Sequence, residues 1–461
     1  MTDDRAGEGS AAGGPARKNS AAEPHARPAL SRLLSITPDT FAREHWGRSP
    51  VFSRAGELDG GSQLGFDDLF SEHAVDELVT DRGIRTPFVR MAREGSVLPA
   101  ADFTSPGGYG AEIGDQLDSS KVLAEFAAGS TIVLQGLHRT WAPLATFVRR
   151  LVHDIGHPCQ VNAYVTPASS RGFDPHYDVH DVFVVQIAGK KHWTIHEPVQ
   201  VDPLATQPWT DHRAAVADRA ARAPAIDETL RPGDVLYLPR GWIHSATALG
   251  TTSVHLTIGV AAITRHDVLQ QLVAGLAGDP ALRASLPLGA GSADTADLAA
   301  TIESVIADAA ARFTPADSAT PSTAPSTTAA STTAPTTARS TADFELVAAT
   351  AAGLQRRVRR SSRPEPVRPL ATTAALESLA PDSVVQWRSG LPVRVAATSE
   401  SVSIGLERTT VTLPSLATAA VTALADGAAL RIADLPALDP DSALVVARRL
   451  VREGAVMVRD R

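Results

Sequence analysis

The chain is poor in the residues that mark several large classes of protein. Its 461 residues include a single cysteine, Cys159, which excludes an internal disulfide framework and any zinc or iron–sulfur site built from several thiolates. No run of 18 apolar residues occurs, and the N-terminal segment has no apolar signal-peptide core. The net charge of −8 argues against nucleic-acid binding through bulk electrostatics. We therefore expect a cytoplasmic protein without a membrane span.

The length predicts more than one domain, and the 43% of hydrophobic residues suffices for buried cores. Residues 1–32 are rich in small and charged residues, so they predict a disordered tail. Residues 314–341 are a tract of Thr, Ala, Pro and Ser with almost no charge, which is typical of a flexible insertion.

Short β-rich segments dominate residues 130–260. They include residues 130–135, 160–166, 181–187, 191–196, 234–238 and 253–260. Residues 181–187 and 191–196 flank a short break at Gly189, which predicts a β-hairpin. Many short strands without β–α–β alternation favour a double-sheet β-barrel or jelly roll.

The remaining segments predict a change of structural class after the barrel. Ala- and Leu-rich residues 266–312 have helical spacing, and helical character returns at residue 343 after the insertion. Residues 371–461 combine strand-like segments with two helices, the second from about Pro440 to Glu453. This combination predicts a small α+β domain of the winged-helix kind.

Three side chains form a candidate metal site. His176 and Asp178 are two residues apart, so on a strand they share one face, and a turn after the strand at 234–238 directs His244 inward. A His-x-Asp triplet alone is weak, because a surface histidine beside an aspartate is a common alternative. Two imidazoles and one carboxylate fill one face of an octahedral Fe(II) and leave the other face open, although copper or zinc would bind more tightly on affinity alone.

A second set of polar residues predicts a ligand cavity inside the barrel. Asn162 and Tyr164 share one strand face, and Lys191 shares a face with Trp193, where it could meet the far carboxylate of a keto acid. The alternative for Lys191 is a solvent-facing charge in a turn. His255 belongs to a similar inward row and is either a cavity residue or a satisfied core histidine.

These motifs together resemble the JmjC-type 2-oxoglutarate oxygenases and, more narrowly, the ribosomal oxygenases. The resemblance rests on residues 162–167, 172–178, 181–186, 189–193 and 233–244, the last of which also resembles the second motif of cupin barrels, and on residues 41–50. It implies a double-stranded β-helix (cupin or jelly-roll, JmjC type) over residues 33–264. It further implies a helical dimerisation region over residues 265–370 and a winged-helix domain over residues 371–461.

The resemblance also implies an activity. His176, Asp178 and His244 would bind Fe(II), and Lys191 would pair with the 5-carboxylate of 2-oxoglutarate in a pocket lined by Tyr164 and Asn162. With O2 as the other co-substrate, the homodimeric enzyme would hydroxylate Arg or His of a ribosomal protein. Alternatives are an N-methyl-lysine demethylase, an oxygenase of a small peptide or amino acid, and a non-catalytic cupin scaffold. Specific DNA binding is disfavoured, because acidic residues offset the arginines of the last helix. The sequence does not identify the substrate.

Overall fold

The structure is a computed structural model. It describes residues 28–58, 65–110, 112–168, 170, 173–286, 288, 295–311, 341–361, 363–406 and 409–459. The predicted tail up to residue 27 and the insertion up to residue 340 lie outside these ranges. Residues 28–32 were also expected in the tail, but Pro28–Ser31 form a helix, α1, in which Leu30 is buried. The Asp154 carboxylate accepts hydrogen bonds from the Ala29 and Leu30 amides, which attaches this helix to the barrel region.

Two antiparallel sheets form the barrel. The larger has the order β1-β11-β8-β13-β7-β6-β2-β3 and the smaller the order β10-β9-β12. The barrel strands are β1 (Val51–Ser53), β2 (Val89–Arg93), β3 (Ser96–Val97), β6 (Thr131–Leu134), β7 (Cys159–Thr166), β8 (Asp181–Ala188), β9 (Lys191–His196), β10 (Ile226–Leu230), β11 (Val235–Leu238), β12 (Ile243–Ala248) and β13 (Ser253–Val260). A separate two-stranded sheet contains β4 (Thr104–Ser105) and β5 (Gln116–Leu117).

The hairpin predicted between β8 and β9 is wrong. β8 pairs with β11 and β13, whereas β9 pairs with β10 and β12 in the other sheet. The chain changes sheet at Gly189, whose φ of +64° favours glycine, and a Cβ there would lie 2.0 Å from the Thr252 carbonyl oxygen. The glycine that suggested a tight hairpin therefore forms a corner of the barrel.

Alternation along β8 explains how the two faces of the large sheet are covered. Val182 and Val184 pack with Trp193 and Ile195 of the small sheet, between the two sheets. Phe183 and its alternate neighbours belong to the main core cluster on the opposite face. That face is covered by helices, so β8 is apolar on both sides. The helices before the metal-ligand segment are α2 (Pro38–Thr40), α3 (Glu72–Thr80), α4 (Ser119–Ala127), α5 (Leu137–Thr140) and α6 (Ala142–Ile155).

Helices dominate the chain after β13, as the sequence predicts. They are α8 (Arg265–Leu276), α9 (Thr295–Ala311) and α10 (Thr341–Ser361), while α7 (Arg213–Ala220) lies in the β9–β10 connection. Thr264 caps α8, and Arg357 of α10 forms an ion pair with Asp267 of α8. Several apolar side chains of α8 and α9 are exposed, among them Val273 and Ile306.

The C-terminal region has its own apolar core. Its elements are α11 (Pro369–Glu377), β14 (Val384–Trp387), β15 (Arg394–Ala397), β16 (Ser401–Gly405), β17 (Thr410–Pro414), α12 (Thr418–Ala425), β18 (Ala429–Arg431), α13 (Pro440–Arg452) and β19 (Val456–Arg459). They form two three-stranded sheets, β18-β14-β19 and β15-β16-β17. The Asp439 side chain caps α13, whose bounds agree with the helix predicted from about Pro440 to Glu453. The winged-helix assignment stays a prediction.

Candidate metal centre

The three residues chosen from the sequence converge at one end of the barrel. One ligand atom from each of His176, Asp178 and His244 lies within 4.8 Å of the others. Nε2 of His244 is 3.8 Å from Oδ2 of Asp178, and the two imidazole ring centroids are 4.5 Å apart. This spacing allows all three atoms to reach one ion.

The segment that carries His176 and Asp178 is irregular rather than a regular strand. Among the described residues, one β-bridge joins this segment to β12, between His176 and His244, through amide-to-carbonyl hydrogen bonds of 3.2 and 2.8 Å. Tyr177, between the two ligands, is buried on the other side, and its hydroxyl donates to the Gln207 carbonyl at 3.0 Å. Side chains therefore still alternate, which places both ligands on one side as expected.

Backbone carbonyls orient both histidines. Nδ1 of His176 lies 2.7 Å from the Asp174 carbonyl oxygen, and Nδ1 of His244 lies 3.0 Å from the Trp242 carbonyl oxygen. A carbonyl can only accept, so each Nδ1 carries the proton and each Nε2 keeps its lone pair. Carbonyl partners of this kind are typical of metal-ligating histidines.

The electrostatics of the three groups suit a divalent cation. Burial and the neighbouring His176 lower the pKa of His244 to about 4, which keeps this imidazole neutral at pH 7. Burial opposes ionisation of Asp178, yet His180, His244 and His176 hold the pKa of this carboxyl below its ordinary value. Neutral imidazoles beside a carboxylate form the donor set that Fe(II) takes in facial-triad sites, so the residues fit the ion.

A small cavity of about 70 Å³ adjoins the triad, and Lys191 lines it. The Lys191 side chain is buried, with Nζ donating to Oγ1 of Thr166 at 3.1 Å. Among the described residues no carboxylate forms an ion pair with it, and burial lowers the pKa of Lys191 to about 7. The solvent-facing alternative for Lys191 is therefore wrong, and the cavity offers an unpaired amine to an incoming anion.

Tyr164 and His255 line the same cavity. Their rings stack with centroids 5.0 Å apart, and Trp193 packs edge-on against His255. Nδ1 of His255 is buried without a hydrogen-bond partner among the described residues, and burial lowers its pKa well below the ordinary value. Asn162 instead lines a neighbouring groove, and its Oδ1 accepts from the Gly136 amide at 3.1 Å. The roles of all three in binding a co-substrate stay predictions.

Sequence reasoning missed several residues around this cavity. Thr131, Phe173 and Thr257 line it, and the Arg90 guanidinium lies over the Phe173 ring at 5.7 Å. Thr131 and Thr166 are within 3.3 Å through their hydroxyls, which extends the polar floor around Lys191. The only signal for Arg90 was a charge in a short apolar strand.

A groove of about 980 Å³ lies beside the metal-ligand segment. Asn162, Val179 and His180 line its barrel side, and residues of α8 and α10 line the other. Gly259 lets His180 pack closely, because a Cβ there would lie 2.6 Å from the His180 ring.

A jelly-roll barrel with a His–Asp–His cluster at one end defines a metal-binding domain of the cupin type. Residues 142–268, which run from α6 through β13 into α8, match the family model described as JmjC domain. Within the part of the chain that the structure describes, no helix is both long and apolar enough to cross a membrane.

Curated relatives extend the similarity. Ribosomal oxygenase 1 of Gallus gallus is 29% identical over 241 residues, covering 49% of this chain and 35% of the relative. Ribosomal oxygenase 2 of Bos taurus is 40% identical over 134 residues, covering 27% and 28%. The chain thus spans about a third of the length of these relatives. Among solved structures, Escherichia coli YcfD, a ribosomal oxygenase in complex with cobalt and 2-oxoglutarate, aligns over 93% of this chain and 99% of its own, with 17% identity and a TM-score of 0.44.

Proposed function

We propose that the protein is an Fe(II)- and 2-oxoglutarate-dependent oxygenase that hydroxylates a protein side chain. The observation that carries the proposal is the pairing, in one cavity, of the His176–Asp178–His244 triad with the unpaired, buried Lys191. A buried amine without a carboxylate partner destabilises the fold, and an anionic co-substrate would compensate that cost.

The chain's own residues position and protect the reactants. His176, Asp178 and His244 would hold Fe(II), which when bound supplies oxygen activation coupled to decarboxylation of the keto acid. Lys191, protonated on pairing, would bind the 5-carboxylate of 2-oxoglutarate, with Tyr164 and the Thr131–Thr166 hydroxyls beside it. Trp193 and Val184 exclude water from the cavity wall.

The names of the relatives support a ribosomal protein as the substrate, modified at Arg or His. The groove beside the metal-ligand segment suits a polypeptide, because Asn162 and His180 open onto it close to the triad. A relative in Drosophila persimilis, 28% identical over 233 residues, is named a bifunctional lysine-specific demethylase and histidyl-hydroxylase, which keeps N-methyl-lysine demethylation as a second candidate.

The organisation around the barrel completes the proposal. A homodimer would bury the apolar side chains exposed on α8 and α9, such as Leu269, Val273 and Ile306. The C-terminal region would serve as a winged-helix module that contacts protein rather than DNA, and we expect the enzyme in the cytoplasm. The domain boundaries at residues 33, 265 and 371 belong to the same proposal.

The test measures succinate formation from 2-oxoglutarate with Fe(II), without added substrate protein. We expect the wild-type protein to convert 2-oxoglutarate slowly. His176→Ala should lower that rate at least about a hundredfold, because the two remaining ligands, Asp178 and His244, hold the ion too weakly. His153→Ala is the matched control, since this histidine is exposed on α6. Turnover in His176→Ala equal to that of the control contradicts the proposal, and formaldehyde released from methyl-lysine peptides would favour the demethylase.

A further inference from the structure

Positive groups outnumber carboxylates around the cavity. Among its described lining residues Asp178 is the only acid, and it is a metal ligand in the proposed function. Lys191 supplies one cation at the wall, and Arg90 supplies another beside Tyr164 and Phe173. Once Lys191 pairs with a co-substrate carboxylate, a positive charge remains on Arg90, beside the lining residues Tyr164 and Phe173.

Arg90 is placed by the register of the large sheet. In β2 it lies opposite Val133 of β6, which in turn lies opposite Tyr164 of β7, so Arg90 and Tyr164 share a face two strands apart. The positive charge of Arg90 opposes the burial that raises the pKa of Tyr164, so the guanidinium is close to that phenol as well as to the Phe173 ring.

Arg90 also retains an unused hydrogen-bond donor. Its Nε is buried and has no hydrogen-bond partner among the described residues, and none of their carboxylates forms an ion pair with it. Arg93, on the same strand, is instead paired with Glu125 at 3.4 Å. A buried donor without a partner is costly, and one beside a binding cavity is suited to a ligand that brings an acceptor.

We propose that Arg90 selects the side chain to be oxidised, by admitting one that presents an acceptor and carries no positive charge. The inference rests on the proposed function and narrows its substrate class to an uncharged side chain such as neutral histidine. An arginine or N-methyl-lysine side chain would bring a second cation next to Arg90, with no free carboxylate among the described lining residues to balance it, which costs roughly tenfold or more in affinity.

The test uses four synthetic peptide pools with identical degenerate flanks and one fixed central residue: His, Asn, Arg or N-methyl-lysine. Full-length protein loaded with Zn(II) and 2-oxoglutarate is mixed with each pool at pH 8, and retained peptide is quantified by mass spectrometry. This readout is binding, so it does not depend on turnover. We expect the wild-type protein to retain the His and Asn pools at least about tenfold more than the two cationic pools.

Variants separate charge selection from folding. Arg90→Gln should remove the preference, Arg90→Glu should reverse it, and Arg90→Lys should keep most of it, whereas Arg93→Gln should match the wild-type protein. Equal or greater retention of the cationic pools by the wild-type protein, or an unchanged preference in both Arg90→Gln and Arg90→Glu, overturns the inference. A wild-type protein that shows the peptide preference but forms no succinate would instead count against the proposed oxygenase chemistry and not against the role of Arg90.

Discussion

The barrel and the C-terminal region both bury a core, but they bury different kinds of groups. Between its sheets the barrel encloses Lys191, His255 and Gln186, and several polar atoms there have no partner among the described residues. The core of the C-terminal region is apolar throughout, and no side chain described between residues 369 and 459 leaves a buried polar atom unpaired.

The barrel interior therefore has the composition of a binding cavity, whereas the C-terminal core has the composition of a region that only stabilises the fold. Apolar packing stabilises in proportion to the area removed from water, whereas each unpaired buried polar group costs free energy. The barrel retains such groups where a metal ion and an anion would satisfy them. Substitutions at the cavity should therefore affect activity and stability in opposite directions, and substitutions in the C-terminal core should affect stability alone.

The largest effect is expected at Lys191. Lys191→Met removes the amine that would hold the far carboxylate of 2-oxoglutarate, so succinate formation should fall by about a hundredfold. The same change removes a buried amine whose protonation is disfavoured by burial, and should raise the free energy of unfolding of the metal-free protein at pH 7. Turnover and chemical denaturation, compared with those of Lys190→Met at the neighbouring turn, check both outcomes.

Lys191 also sets a pH dependence. Its pKa is about 7 in the folded protein and 10.5 in an unfolded chain, so the unfolded state binds more protons between these values. The stability of the wild-type protein relative to Lys191→Met should therefore rise with pH from about 7 to 10.5, by on the order of 4 kcal/mol. If the free energies of unfolding of the wild-type protein and of Lys191→Met changed equally with pH across this range, the assignment of a neutral amine to Lys191 would be contradicted.

The next effect concerns the apolar core of the C-terminal region. Leu450 of α13 is fully buried, and Leu450→Ala should destabilise the protein by about 3 kcal/mol through a cavity. Val445 of the same helix is 66% exposed, so Val445→Ala is the matched control with an effect near zero. Thermal unfolding measures the loss, while succinate formation at 20 °C should stay unchanged. A large loss of succinate formation in Leu450→Ala would instead show that the C-terminal core supports the cavity of the barrel.

The smallest effect concerns the ion pair at the border of the C-terminal region. Arg459 contacts Glu365 through two bonds of 2.6 and 2.7 Å, and these hydrogen bonds hold the pKa of Glu365 below its ordinary value. Glu365→Gln should cost about 1 kcal/mol at pH 7. Because a depressed pKa stabilises only while the carboxylate is ionised, the difference from the wild-type protein should vanish at acidic pH. A difference that persists below pH 3 would contradict this origin.

Local patterns predicted much of the barrel. Alternation identified β7, β9 and β13, and the composition change after residue 264 identified the helical region. The sequence did not show that the chain changes sheet at Gly189, because a tight turn and a barrel corner both use a glycine with positive φ. That choice depends on which strands lie on either side, and these come from distant segments.

Some residues of the candidate site could likewise be predicted from the sequence, and others could not. Residue types and spacing selected His176, Asp178 and His244, and the structure brings their ligand atoms within 4.8 Å of one another. A metal site needs particular donor types at particular spacings, so a candidate site can be recognised as a sequence motif. Arg90 had no such motif, and its place beside Tyr164 follows from pairing across β6. Asn162 shares the face predicted for it but opens onto the groove, because the Gly136 amide holds its side chain.

The sequence by itself determined the chemistry of this protein: which donors could bind a metal ion, which cation could meet an acid, and which segments would form strands. The tertiary structure alone decided how those groups are surrounded. Burial left Lys191 without a carboxylate partner among the described residues, and sheet register placed Arg90 beside Tyr164. Charge and pKa depend on the groups within a few ångströms, and long-range strand pairing brings those groups together.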